Sequence, residues 1–343
     1  MRIGIVGYQG TGKSTVFELL TGTKPDLAKA HLGQVGVTVI PDERFNGLVR
    51  MFKPKKESPA KIELFDTPGL SRGEPQANPA RLGVIRESTA LVQVVGAFLG
   101  GDPVAEVQAF VEDMVLADLQ VVSNRVERLK KDVTKPVSNR DQLRAELDSL
   151  LPVEERLSGG NTLIDMEFDE ALDKATRSFQ LLSRKRHLVL LNTTDSSVDA
   201  TVVKKLEDLG YIVVAGPLGL ELEVAQLPES DRAEFAKEMG LSGSSKDRVL
   251  QAIFKLTDYI TFYTSDEKEV HAWLLKRGSN AIEAADTIHS DLARGFIRAE
   301  VMSVDDLLRL GSEKEVKAAA LYRIEGKDSI IQDGDEIVIR FSV

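Results

Sequence analysis

The sequence contains no cysteine, and this absence excludes several kinds of chemistry. Disulfide bonds, thiol nucleophiles and cysteine-based zinc or iron–sulfur sites all require that residue. Histidine is also rare, and its four residues lie far apart without the spacing of metal ligands, at His31, His187, His271 and His289. We therefore expect no metal site built from these two residue types, and the composition fits a reducing cytoplasm.

Long apolar runs and an excess of basic residues are absent as well. The longest mostly apolar stretch, residues 90–100, is far too short to span a bilayer, and the first residues lack the pattern of a signal peptide. Acidic residues outnumber basic ones by 54 to 44, which argues against nucleic-acid binding over the whole surface. With 343 residues, 42% of them hydrophobic, we expect a cytoplasmic protein of two or three domains.

Residues 7–14 (GYQGTGKS) match the phosphate-binding pattern G-x-x-x-x-G-K-[ST]. Residues 1–6 (MRIGIV) predict a short buried strand before it, and residues 15–20 predict a helix with its apolar positions facing inward. An ordinary glycine-rich turn also matches the bare pattern, but this strand and helix are the context of a P-loop. The predicted nucleotide-binding residues here are Gly7, Gly10, Thr11, Gly12, Lys13, Ser14 and Thr15.

The chemistry of a bound triphosphate explains the residue types in this loop. Glycine lets main-chain N–H groups approach the phosphates closely. Lys13 brings a positive charge to the β- and γ-phosphates, and Ser14 brings a hydroxyl to Mg²⁺. The loop therefore predicts a nucleoside triphosphate with Mg²⁺ as its ligand.

A second motif for phosphate sensing, residues 66–69 (DTPG), follows a strand predicted over residues 61–65. Asp66 can hold Mg²⁺ through water and the Gly69 N–H can meet the γ-phosphate, so Lys13 and Gly69 are the predicted catalytic residues. The same four residues also fit a plain turn. Their place, about fifty residues after Lys13 and behind a β pattern, favours the nucleotide site. The two switch segments are then expected over residues 21–36 and 71–78.

A motif that reads the base is predicted where the strand over residues 187–191 ends. In residues 192–195 (NTTD), Asn192 opens the motif, and the Asp195 carboxylate can accept hydrogen bonds from guanine N1–H and N2–H₂. Thr193 stands where such motifs usually carry lysine. Leu218, which follows a strand predicted over residues 211–215, is also a predicted nucleotide-binding residue.

Two further segments have different patterns. Apolar residues recur with 4-3-4-3-4 spacing from Val115 to Val133, and helical apolar positions follow over residues 143–150 and 172–182. This pattern predicts an inserted antiparallel coiled-coil hairpin, and two ordinary core helices are the alternative. From residue 258 onward, strand patterns around one helix, over residues 280–292, predict a small α+β domain of the β-grasp type.

With these motifs in order, the chain resembles the YchF family of Obg-related P-loop NTPases, also called Obg-like ATPases. The strongest resemblance is C-terminal, where three stretches are similar to that family's TGS domain: TFYTSDEKEVHAW, AADTIHSDLARGFIRAEVM and YRIEGKDSIIQDGDEIVIRF. Upstream, VIPDERFNGL, DTPGL and LPESDRAEF also resemble the family. The predicted fold class is an α/β P-loop NTPase domain, an inserted antiparallel helical coiled coil and a C-terminal α+β, TGS-like β-grasp domain. The predicted NTPase domain contains residues 1–112 and 185–257, the coiled coil residues 113–184, and the TGS-like domain residues 258–343.

The resemblance also implies ligands and partners. Mg²⁺ with GTP or ATP is the implied ligand, and a ribosome or another RNA is the implied partner of the coiled coil and the TGS-like domain; we expect a monomer. Basic residues near the hairpin tip are the candidates for phosphate contacts, although a solvated helix face explains them equally well. They are Arg125, Arg128, Lys130, Lys131 and Lys135.

Four features depart from the family pattern. Gly10 stands where the family usually has asparagine, the first-switch threonine is missing with Ala30 near its place, residues 71–78 follow the second switch only loosely, and Asp195 replaces glutamate. Beside Gly69, Leu70 occupies the position where Ras-type GTPases carry the glutamine that orients water. Leucine also belongs to the family pattern. We therefore expect weak intrinsic hydrolysis.

The sequence supports two functional hypotheses. The first is a Mg²⁺-dependent purine nucleotide hydrolase that acts as a switch. Asp195 favours GTP and the family resemblance favours ATP, and on balance we expect a slight preference for GTP. The second is a nucleotide-binding or nucleotide-free interaction scaffold that works through the hairpin and the C-terminal domain. A small-molecule kinase fits less well, because it needs an acceptor pocket instead of these ordered motifs.

Overall fold

The computed structural model describes residues 1–26, 28, 31–73, 75–136, 138–195, 197–241 and 243–342. In the described part of the chain, none of the helices combines the length and the apolar character that crossing a membrane needs. The strands are β1 (Arg2–Val6), β2 (Gln34–Val39), β3 (Lys56–Ser58), β4 (Lys61–Asp66), β5 (Ala90–Gly96), β6 (His187–Asn192), β7 (Ile212–Gly216), β8 (Tyr259–Ser265), β9 (Glu269–Lys276), β10 (Phe296–Ser303), β11 (Arg323–Glu325) and β12 (Asp335–Phe341).

The α-helices alternate with these strands in the first part of the chain and form a long uninterrupted group in its middle. They are α1 (Lys13–Thr21), α2 (Glu43–Phe52), α3 (Asn78–Ile85), α4 (Pro103–Asp132), α5 (Arg140–Ser158), α6 (Glu170–Thr176), α7 (Ala200–Asp208), α8 (Leu218–Gln226), α9 (Glu229–Glu238), α10 (Ser245–Leu256), α11 (Ala281–Ile288), α12 (Ser290–Arg294), α13 (Val304–Leu310) and α14 (Glu313–Ala318).

The first compact unit, Met1–Thr38 with Glu63–Leu256, contains a six-stranded sheet of order β2-β4-β1-β5-β6-β7. Strand β1 pairs in parallel with β4 and β5, and β5, β6 and β7 continue the parallel ladder. Every residue of β5 and β6 is buried, as expected for central parallel strands covered on both faces. The carboxyl ends of β1, β4, β5 and β6 therefore meet at one edge, where open α/β sheets bind ligands.

Helix α4 connects this sheet to a helical pair. Its first half packs Phe110 and Met114 into the core of the first unit, and its second half packs along α5. Along the predicted seam, Leu119 and Val133 are half-buried and the other apolar residues are buried. The buried residues of the pair are Val115, Val122, Val126, Leu129, Leu150, Val153 and Leu157.

The second compact unit contains Val39–Ile62 and Thr257–Val343, with a sheet of order β11-β10-β12-β8-β9-β3. The predicted limits place residues 39–62 in the nucleotide domain, whereas their contacts place them here. Strand β3 pairs in parallel with β9, and α2 packs on α13. Asp42 accepts a hydrogen bond from Tyr263 Oη, and Arg44 Nη1 lies 2.9 Å from Asp333 Oδ2. The division therefore follows pairings across more than two hundred residues of sequence, which local patterns do not reveal.

One helix predicted in the second unit, over residues 280–292, is divided in two. His289 has an extended backbone (φ −167°, ψ 138°) and separates α11 from α12. Its Nδ1 accepts a hydrogen bond from the Asp291 main-chain N–H at 3.1 Å, which starts the second helix.

Candidate nucleotide-binding site

The glycine-rich loop between β1 and α1 has a backbone that requires glycine. Gly7, Gly10 and Gly12 have φ angles of 135°, 82° and 96°. A Cβ atom on Gly7 would lie 2.5 Å from the Val94 carbonyl oxygen, and one on Gly12 would overlap the Asn192 side-chain nitrogen. At Gly10 the space is open, so only its positive φ disfavours a side chain there. The loop thus lies tightly against β5 and β6 and leaves its tip uncovered.

Lys13, at the start of α1, lies inside this loop with 7% of its surface exposed. Its ammonium donates a hydrogen bond to the Tyr8 carbonyl oxygen at 2.6 Å. Burial lowers the pKa of Lys13 to about 8, against the opposing effect of the carboxylates of Asp66 and Glu106. A Cβ atom on Gly69 would lie 2.5 Å from Lys13 Nζ, so the two predicted catalytic residues are adjacent.

Ser14 and Asp66 form the part of the site that fits a magnesium ion. Ser14 Oγ donates to Asp66 Oδ2 at 2.9 Å, and burial raises the pKa of Asp66 against the effects of Ser14 and Lys13. Asp66 Oδ1 is buried and has no hydrogen-bond partner among the described residues. A hydroxyl beside an unsatisfied carboxylate oxygen is a suitable donor set for Mg²⁺, which takes its remaining ligands from phosphate and water. Nowhere in the described ranges do three His, Asp or Glu side chains group as metal ligands.

Leu70 does not face this site. Its side chain is fully buried in a cluster with Val6, Leu82 and Phe110. Its main chain pairs with the P-loop, because the Leu70 N–H donates to the Gly7 carbonyl oxygen at 3.0 Å and its carbonyl accepts from the Gln9 N–H at 2.9 Å. Main-chain hydrogen bonds therefore join the P-loop to the residue that precedes the predicted second switch, and the leucine side chain packs in the core.

Arg72, in the predicted second switch, contacts both the P-loop and α4. Its guanidinium lies 4.5 Å from the centre of the Tyr8 ring and donates to Glu106 Oε2 at 3.0 Å. Tyr8 in turn donates to Asp113 Oδ2 on α4 at 2.9 Å. Arg72 and Tyr8 thus link the predicted second switch to the helix that leads to the helical pair.

The predicted base motif lies beside the loop, and its first residue, Asn192, and its last, Asp195, have different environments. Asn192 is 4% exposed and donates from Nδ2 to the Thr11 carbonyl oxygen at 3.1 Å, so it positions the P-loop. Asp195 is exposed, and its Oδ1 accepts from the Ser197 N–H at 2.8 Å and from the Ser197 hydroxyl. These hydrogen bonds lower the pKa of Asp195. Thr193 Oγ1 donates to the Asp195 carbonyl oxygen at 2.6 Å and steadies the same turn.

A cavity of about 370 Å³ adjoins residues 193–195 at the carboxyl ends of β5 and β6. Phe98 lines it with 42% of its surface exposed, and Pro103, Val198 and Val202 add apolar walls. An aromatic face opposite hydrogen-bonding groups is what a planar base requires. Sequence reasoning missed Phe98, for which the only signal was an aromatic residue in a glycine-rich turn (AFLGGD) after a buried strand.

The remaining predicted residues lie around the loop. Thr11 is buried and donates from Oγ1 to the Tyr8 carbonyl oxygen at 3.1 Å, and Thr15 is half-buried in α1. Leu218, the first residue of α8, has a fully buried side chain, so a nucleotide contact there would come from its main chain. Ala30, the position near the missing threonine, lies outside the described residues.

Comparison with known proteins relates the chain to others along its whole length. Family models match residues 259–342 (the YchF-GTPase C-terminal family, described as a protein of unknown function) and residues 2–135 (50S ribosome-binding GTPase). The chain is 32% identical to the "Ribosome-binding ATPase YchF" of Bacillus subtilis, over 99% of each chain. It is also 32% identical to the "Obg-like ATPase 1" of Oryza sativa subsp. japonica, over 100% of this chain and 92% of that one.

A solved structure gives the same result for the fold. The Schizosaccharomyces pombe YchF GTPase superposes with a TM-score of 0.80 at 22% identity, over 99% of this chain and 97% of that chain. The similarity supports the architecture, an α/β domain with a helical pair and a C-terminal α+β domain.

Proposed function

Because the chain belongs to the YchF family of Obg-like ATPases, we propose that it is a Mg²⁺-dependent purine nucleotide switch with slow intrinsic hydrolysis. The observation that carries this proposal is the convergence of Lys13, Ser14, Asp66 and Gly69 at the carboxyl edge of the sheet. The ammonium would bind the β- and γ-phosphates, and Ser14 with Asp66 would hold Mg²⁺, which neutralises phosphate charge when bound.

Slow hydrolysis is proposed because the site lacks two usual supports. Leu70 is buried away from the phosphates, and Gly10 has no side chain. A single-turnover assay on the purified chain tests this part of the proposal. Turnover of about 1 s⁻¹ or faster without a partner would contradict it, because intrinsic rates of this class are far slower.

We further propose that ATP is preferred to GTP, which reverses the slight preference for GTP expected from the sequence. A carboxylate pairs with guanine N1–H and N2–H₂ most strongly through both oxygens, and Oδ1 already accepts two hydrogen bonds from Ser197. The names of the Bacillus subtilis and Oryza sativa relatives call them ATPases and support the same choice, whereas the Schizosaccharomyces pombe protein is called a GTPase. Titration with both nucleotides decides the matter, and GTP bound at least about tenfold more tightly, a difference of about 1.4 kcal/mol, would contradict it.

Replacement of Phe98 with alanine is expected to weaken ATP binding by about tenfold. The loss of stacking on one base costs about 1–3 kcal/mol in comparable substitutions. The matched control is Phe235→Ala, because Phe235 on α9 is 41% exposed and does not line the cavity. Equal ATP affinities of wild type and Phe98→Ala in fluorescence titrations would show that the base does not bind in this cavity.

We propose a ribosomal partner because relatives are named ribosome-binding ATPases and because one end of the helical pair is basic. Two of the five predicted cations are neutralised within the pair: Nε and Nη2 of Arg125 each lie 2.7 Å from a carboxylate oxygen of Glu146, and Lys135 Nζ lies 2.7 Å from Asp132 Oδ1. Within the described ranges, the remaining three have no ion pair and are exposed: Arg128, Lys130 and Lys131. RNA phosphates would supply their counter-charges, and a ribosomal partner would place the protein in the cytoplasm.

Charge reversal of Lys130 and Lys131 to glutamate is expected to weaken ribosome binding and to reduce its salt dependence. Each lost phosphate contact should lower the slope of log affinity against log salt by about 0.7–0.9. The control is reversal of the exposed neighbours Lys204 and Lys205 on α7, which changes the net charge equally. If the Lys130 and Lys131 variant sediments with ribosomes like wild type at several salt concentrations, this face does not contact the ribosome.

A further inference from the structure

Hydrolysis by this site requires a group that orients the attacking water, and the residue after Gly69 cannot be that group. Leu70 has neither a donor nor an acceptor in its side chain, which is fully buried. In Ras-type GTPases the glutamine that follows this glycine orients the water. A substitute has to come from another segment that reaches the γ-phosphate end of the loop.

Gln9 lies at that end of the loop. Its N–H donates to the Leu70 carbonyl oxygen at 2.9 Å. A Cβ atom on Gly69 would lie 3.1 Å from both the Gln9 nitrogen and the Gln9 Cα, and 2.5 Å from Lys13 Nζ. The main chain of Gln9 therefore lies against Gly69, and Gly69 lies beside Lys13 Nζ. These are the two residues proposed to meet the γ-phosphate.

The side chain of Gln9 is free to act there. It is exposed, and among the described residues no protein group forms a hydrogen bond with its carboxamide. Its backbone φ is not among the positive values of this loop, so the residue carries its side chain without strain. At the neighbouring Gly10, a Cβ atom would meet nothing within 4 Å, so the loop is uncrowded beside Gln9.

We propose that Gln9 orients the attacking water in this chain, an inference that rests on the proposed nucleotide hydrolysis. A carboxamide has one acceptor oxygen and two donor hydrogens. Its Oε1 accepts from the water while its Nε2 donates to a γ-phosphate oxygen. The water oxygen bonds to the γ-phosphorus, the bond to the β–γ bridging oxygen breaks, and the water's proton passes to a phosphate oxygen. The products are nucleoside diphosphate and inorganic phosphate.

The test compares Gln9→Ala with wild type in single-turnover hydrolysis of ATP and in binding of a non-hydrolysable ATP analogue. We expect the rate to fall at least about tenfold, since positioned groups of this kind contribute 10²-fold or more in efficient enzymes. Analogue affinity should change by less than about twofold. Alanine retains the N–H that donates to Leu70, and Gln120→Ala on the exposed face of α4 is the matched control.

A second measurement separates a role in the reaction from a role in folding. ADP with Mg²⁺ and aluminium fluoride resembles the reacting phosphate with its water, so wild type should bind this mixture more tightly than ADP alone. Gln9→Ala should still bind ADP, but aluminium fluoride should no longer increase its affinity.

The outcomes distinguish this inference from the proposed function. An unchanged rate and an unchanged aluminium fluoride increment in Gln9→Ala would show that Gln9 is only an exposed loop residue. Analogue binding by wild type without any turnover would also overturn the inference and leave the nucleotide site standing. Failure of wild type to bind ATP or GTP would overturn the proposed function and the inference with it.

Discussion

Replacement of Lys13 with alanine is expected to weaken triphosphate binding by about a hundredfold or more. The ammonium is the buried cation of the loop, and charge-assisted hydrogen bonds contribute about 1.5–3 kcal/mol each, so loss of two phosphate contacts has at least this effect. The measurement is a calorimetric titration of wild type and variant with a non-hydrolysable ATP analogue. The control is Lys237→Ala, a lysine removed from the exposed surface of α9.

The same lysine should make binding depend on pH. Because burial holds the pKa of Lys13 near 8 in the free protein, most molecules carry the ammonium at pH 7 and few carry it at pH 9. Phosphate binds the charged form, so binding above pH 8 requires uptake of a proton, and affinity should fall by up to about tenfold per pH unit. Lys13→Ala should lack this dependence. Affinity that stays constant between pH 7 and pH 9 in wild type would argue against Lys13 as the phosphate ligand.

Asp66→Asn is expected to remove the dependence of binding on Mg²⁺ and to weaken binding of the magnesium complex by about tenfold or more. The carboxylate is the anionic donor of the proposed metal site, and an amide oxygen is a weaker ligand for this hard cation. Fluorescence titrations with Mg²⁺ and with EDTA measure the difference. Asp208→Asn on the exposed surface of α7 is the control.

The melting temperature of this variant distinguishes loss of metal binding from loss of structure. Burial raises the pKa of Asp66, which means that its charged form is disfavoured where it lies. A neutral side chain of the same size should therefore leave the melting temperature equal or higher. A lower melting temperature together with unchanged Mg²⁺ dependence would contradict the assignment of Asp66.

The parts of the site that sequence reasoning predicted are those encoded by contiguous residues. The P-loop has its own glycine pattern, and Asp66 and Asn192 each end a strand with a clear apolar pattern. Parallel strands place their carboxyl ends at one edge, so the meeting of these residues follows from the pattern alone. The seam from Val115 onward predicted the long helix in the same way.

Other features depend on contacts between distant parts of the chain. Residues 39–62 join the second unit because β3 pairs with β9. A strand pattern in the sequence does not show which strand it will pair with. Leu70 turns into the core because its main chain pairs with Gly7 and with Gln9. The position of Phe98 beside residues 193–195 appears only when β5 and β6 are neighbours, since an exposed aromatic residue has no special meaning in sequence.

The central claim is that the loop at Lys13 binds a nucleoside triphosphate together with Mg²⁺. The most direct measurement is a calorimetric titration of wild type with a non-hydrolysable ATP analogue, in Mg²⁺ and again in EDTA. We predict saturable binding of one nucleotide per chain, weaker in EDTA by about tenfold or more because Ser14 and Asp66 then lack the cation they share with the phosphates. The absence of binding to either the ATP analogue or its GTP counterpart, or an affinity that is the same in EDTA, would contradict the claim.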